Sequence, residues 1–75
     1  MKNKRSFTAI IEKEDNMYVA LCPELDIASQ GNSVEEASTN LKEAIELFLE
    51  SASPSEVQER LNTEFFITQL EVYVG

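Results

Sequence analysis

Cys22, Glu24 and Asp26 are the residues whose types and spacing come nearest to chemistry in this sequence. Glu24 and Asp26 stand two apart, so an extended segment would carry both carboxylates on one face. Such a pair can share a divalent ion or divide acid and base roles. Two ligands make a weak site, and among 14 acidic residues in 75 a pair of this kind arises by chance. A solvated loop is therefore the favoured reading. Cys22 precedes Pro23 at the end of an apolar run, where a buried structural thiol outweighs a reactive one. It is the only cysteine, so no disulfide can form within the chain, and one thiol cannot build a structural zinc site. With no histidine there is no Ser-His or Cys-His pair. Gly31 and Gly75 are the only glycines, too few for a phosphate-cradling loop. No catalytic residue, metal or cofactor is expected, and the chain reads as something other than an enzyme.

Charge says more than any single residue. The formal net charge is −8, and three of the six basic residues, Lys2, Lys4 and Arg5, fall within the first five positions. Residues 1–5 read as a flexible basic tail; three charges give weak, salt-sensitive attraction to nucleic acid. Everything after it is acidic enough to repel phosphate backbones and to attract a basic partner. Solubility alone accounts for such acidity about as well. No apolar run is long enough to span a bilayer, and the N-terminus lacks the apolar stretch and cleavage site of a secretion signal. A soluble, cytoplasmic protein is expected. At 75 residues the chain is one domain, with a core too small to be comfortable alone. With disulfide and metal set aside, a homodimer or higher oligomer is the remaining support.

The elements that would position these residues follow from changes of period. Residues 6–12 read as a strand with Phe7, Ala9 and Ile11 on one face. Residues 13–16 are polar and rich in turn formers, and residues 17–22 form a second β-prone run, so the two make a hairpin with a four-residue connection. Pro23 ends that strand, residues 24–26 connect, and residues 27–30 form a short third strand. Gly31 can take a positive φ at the passage into the next element. Ser33 with Glu36 is a capping-box signature, and Glu35 and Glu36 suit the positive end of a helix. Val34, Ala37, Leu41, Ala44, Ile45, Phe48 and Leu49 recur at three- and four-residue steps, which predicts a helix over residues 34–51 with one apolar stripe. Ser53 followed by Pro54 starts a second, short helix to about Leu61. Residues 65–74, FFITQLEVYV, read as a long last strand, apolar on both faces and so in want of cover on both, part of it from another subunit. The fold class is α+β, β-β-β-α-(α)-β, a single sheet packed on one face by the long helix. Tyr18, Phe65 and Tyr73 are candidate interface anchors, although core packing is the commoner use of any one of them.

Residues 18–50 resemble the HicB family. The shared features are Tyr18 and Ala20, Pro23-Glu24-Leu25, then Ser29, Gly31 and Ser33, Glu36-Ala37, and the Leu-Lys-Glu-Ala-Ile run at 41–45. The preceding strand, residues 7–12, and its polar turn also fit. The resemblance implies an antitoxin of a toxin–antitoxin pair, with a reduced RNase H-like fold. Its partner would be a small, basic, RNA-cleaving HicA-type toxin whose catalytic surface it covers. Two departures stand out. Asp26 and Ile27 follow Leu25 where many members carry glycine. After the last strand the chain ends at Gly75, without the DNA-binding domain that many members append, so direct operator binding is not expected.

The expected function is thus a protein-binding module that neutralises such a toxin, with Tyr18, Glu24, Leu25 and Asp26 at the contact. An orphan HicB-like oligomer serving another partner is the alternative. A metal-dependent nuclease remnant ranks last, since fold analogy alone warrants little.

Overall fold

A computed structural model describes residues 4–62 and 64–75. Three strands, β1 (Ile10–Glu14), β2 (Met17–Cys22) and β3 (Ile27–Gly31), form an antiparallel sheet in the order β1-β2-β3. Two helices follow, α1 (Val34–Ser51) and α2 (Pro54–Leu61). The α+β class and the single sheet under one long helix agree with the sequence reading.

The hairpin is tighter than expected. Glu14 pairs with Met17, which leaves a two-residue turn, Asp15-Asn16. Asp15 takes φ 53°, a left-handed conformation that aspartate tolerates better than most residues. β1 also starts later than expected, at Ile10; Phe7 still packs against the core from outside the strand, while Ala9 is exposed.

Register sets which face is buried. Ala20 and Cys22 of β2 are fully buried, so their cross-strand partners Ile11, Ser29 and Ile27 share the side under α1. From α1 come Ala37, Leu41 and Ile45, spaced four apart on one stripe. Leu25, between β2 and β3, completes the core. Val34 and Leu49, also expected on the stripe, lie at its margins and stay exposed.

Gly31 permits this packing by size and not by a positive φ. Its φ lies outside the left-handed region. A Cβ there would sit 2.6 Å from the Ala37 amide nitrogen and 2.8 Å from the Glu36 carbonyl carbon. Only a residue without a side chain lets β3 run this close to the first turn of α1. That turn is capped as expected: the Ser33 hydroxyl accepts from the Glu36 amide at 3.0 Å, and the Glu36 carboxylate accepts from the Asn32 amide at 3.1 Å. The second helix repeats the device, with the Ser53 hydroxyl accepting from the Glu56 amide at 3.2 Å.

The expected last strand is corrected. Residues 65–74 join no strand of the described chain; Phe65 is half-buried, and from Phe66 on the side chains stand in solvent, with Phe66, Leu70 and Val74 88, 83 and 93% exposed. The physical reason is the lack of a ladder partner within the chain as it is folded. Of the expected basic tail, residues 1–3 lie outside the described residues; Lys4 and Arg5 are exposed, with the Arg5 guanidinium 5.6 Å from the Phe7 ring centre.

Candidate functional site

The four residues expected at a partner surface have four different surroundings. Leu25 is fully buried, one of the two largest side chains wholly removed from solvent. It is corrected from contact residue to core residue: a leucine enclosed by β2, α1 and the connection has nothing to offer a partner. Tyr18 lies opposite Gly31 on the helix side of the sheet and packs against the core, half-buried. It is the core tyrosine that the commoner reading allowed.

Glu24 is half-buried and its carboxylate is engaged within the chain. One oxygen accepts from the Thr8 amide at 2.8 Å; the other accepts from the Cys22 thiol at 3.5 Å. Partial burial works against the charged form. The Thr8 amide, Glu24's own amide, the Thr8 hydroxyl and the Cys22 thiol outweigh it and hold the carboxyl below its ordinary pKa. On the other side of this bond, burial pushes the Cys22 thiol pKa up, and the neighbouring Glu24 charge adds to the rise. Glu24 is thus a latch between the N-terminal segment and the β2–β3 connection, and Cys22 is a core thiol.

Asp26 alone has the exposure a contact residue needs. It sits at φ 55°, the second left-handed residue among those described, at the position where the resemblance implies glycine. The backbone there makes the turn that glycine would make, and aspartate bears it.

Around Asp26 the fold assembles what the sequence holds apart. Pro23, Glu24, Leu25 and Asp26 form one wall of an open cleft of about 430 Å³; Glu56, Glu59 and Arg60 of α2 form the other. Four acidic residues and one arginine therefore line the same cleft, with the Glu24 carboxylate already held by Thr8 and Cys22. Arg60 was not singled out by sequence reasoning, and it holds the cleft together. Its guanidinium donates to the Leu25 carbonyl, stacks 4.8 Å from the Phe48 ring centre and lies 4.0 Å from Glu56. The only advance sign was a basic residue in the last turn of a short helix; its partner is 35 positions away in the chain.

The sheet face away from α1 is open. Ile10, Val19, Leu21 and Ala28 line a shallow depression there, edged by Glu12 and Glu14. Among the described residues no three His, Cys, Asp or Glu side chains converge in a way that would hold a metal ion. None of the described helices is long and apolar enough to cross a membrane.

Comparison with known proteins gives relatives whose names carry no function. The chain is 57% identical to a UPF0150 protein of Helicobacter pylori over 42 residues, 55% of this chain and 58% of the relative. It is 50% identical to one from Synechocystis over 48 residues, 61% of each chain. A third, from Thermotoga maritima, is 48% identical over 56 residues, 69% of this chain and 75% of the relative. The matches thus span about three-fifths of the first two relatives' own lengths. No protein-family model matches the chain, and no solved structure matches it.

Proposed function

We propose that this chain, which belongs to the UPF0150 family, is a HicB-like antitoxin module that binds a small basic RNA-cleaving protein and covers its catalytic surface. The observation that carries the reading is the cleft lined by Glu24, Asp26, Glu56 and Glu59 with Arg60 as its one basic residue. Two acids from the β2–β3 connection line the cleft with two from α2, and the chain as a whole carries a formal net charge of −8. A lysine- or arginine-rich partner is steered to such a surface, and complementary charge sets orientation as well as rate. The HicB resemblance of residues 18–50 supports the same partner class.

The test is a titration. A HicA-type toxin is assayed for RNA cleavage while this chain is added. Loss of cleavage at a fixed stoichiometry, with a complex that survives gel filtration, is the expected result. Cleavage that continues undisturbed at excess chain would overturn the antitoxin reading and leave a binding module for another partner. Asp26→Lys with Glu59→Lys should weaken the complex at least tenfold, since neither acid is engaged in a hydrogen bond within the described chain.

A further inference from the structure

Residues 64–75 and a groove between the N-terminal segment and α1 have complementary chemistry. The segment is apolar on both faces: Phe66, Leu70, Val72 and Val74 alternate with Ile67 and Tyr73, all of them 60% exposed or more. A β-prone stretch left so open wants a strand edge and cover on two sides. It also stands off the body. The radius of gyration is 14.8 Å and the longest extent 51 Å, where a compact chain of this length has a radius of about 11 Å.

The sheet offers one open edge. β3's outer side is obstructed, since the Asn40 side-chain amide donates to the Gln30 carbonyl at 2.7 Å and α1 packs alongside. β1 pairs only with β2 among the described residues. Beside β1's approach, Phe7 and Ala9 form a groove of about 430 Å³ with Leu41, Ile45 and Leu49 of α1. A strand added at β1 would turn one face into this groove and continue the open face of Ile10, Val19 and Leu21 with the other. Charge agrees: Arg5 and Lys42 border the groove, and the segment carries Glu64 and Glu71.

We propose that the occupant is a second copy of this chain: two copies exchange residues 64–75, each laying its segment along β1 of the other and into the groove. Segment and acceptor belong to the same sequence, so one two-fold axis satisfies both at once and the assembly closes as a dimer. Phe66 and Tyr73 alone bring about 300–500 Å² per copy, and with the aliphatic residues a reciprocal exchange reaches the size of a stable interface, roughly 1,600 Å² in total.

Sedimentation equilibrium of the wild-type chain and of Leu70→Asp/Val72→Asp tests this. The wild type should dimerise at micromolar concentration. The variant should be monomeric at a hundred times that concentration, with the helical signal of α1 and α2 retained in its far-UV circular dichroism spectrum. A wild type that stays monomeric overturns the proposal, as does a variant that dimerises as well as the wild type. Carbodiimide coupling of Lys42 to Glu71 in a mixture of ¹⁴N and ¹⁵N chains gives an independent reading. Mixed-isotope products are expected. Products of one isotope only would show the segment folding back on its own chain, or binding nothing of its own kind, and would overturn exchange.

Discussion

The body of this protein, residues 10–61, and its last segment, residues 64–75, are built from similar residue types and use them in opposite ways. In the body, Ala20, Cys22 and Ile11 on one sheet face meet the Ala37, Leu41 and Ile45 stripe of α1, and Phe7, Ile27 and Phe48 pack against them. In the segment apolar residues appear on both faces, and from Phe66 on they stand exposed. The difference teaches that a β-prone run is not a strand until an edge receives it. Local propensity was equal in the two regions; the ladder partner was not.

Core truncation should separate the two most strongly. Leu25→Ala empties a fully buried site and should cost about 2–5 kcal/mol. Under dilute conditions Leu70→Ala should stay within about 0.5 kcal/mol. Urea unfolding of both variants at low concentration checks this; equal losses would mean that the segment packs on its own body. Gly31→Ala comes next. The added methyl meets α1 backbone closer than 3.0 Å, and the strand or helix must shift, at about 1–3 kcal/mol.

Arg60→Met should cost about 1–2 kcal/mol, by leaving the Leu25 carbonyl without its donor and removing the charge over Phe48. The loss should be seen as freer amide exchange in α2 while β2 stays protected. Asp26→Gly should be nearly neutral or stabilising by less than about 1 kcal/mol, because relief at a left-handed residue is offset by unfolded-chain entropy. Asp26→Val at the same place should destabilise by about 1 kcal/mol or more, since a branched side chain tolerates that conformation poorly.

The smallest effect is one of pH. Glu24's carboxyl is held below its ordinary value in the folded chain, so the folded state prefers it charged. That contribution is complete above the unfolded pKa of about 4.3 and disappears as the pH falls through the lower, folded value. The wild type should therefore lose more stability than Glu24→Gln between about pH 5 and pH 3. Parallel curves for the two proteins would remove Glu24 as a latch.

Much of the body was legible because its signals are local. Ser33 with Glu36 and Ser53 with Pro54 mark helix starts within four residues, and both helices fall where those caps put them. What was not legible depends on contacts distant in sequence. Leu25 was placed at the surface on exposure and charge alone; its burial depends on the core it joins with Ala37, Leu41 and Ile45, residues far along the chain. Glu24's partner Thr8 lies 16 positions away and Arg60's partner Leu25 lies 35 away. Neither pairing leaves a trace in spacing. Gly31 was marked for the right place and the wrong reason, since a close approach of helix to strand cannot be told from a turn by one glycine.

The central claim is that the acids around Asp26 receive a basic, RNA-cleaving partner. Hydrogen–deuterium exchange of this chain with and without a HicA-type toxin tests it most directly. The account predicts new protection in residues 23–26 and in α2, with residues 64–75 unchanged. Protection confined to the open sheet face of Ile10, Val19 and Leu21, or no protection at all, would contradict it.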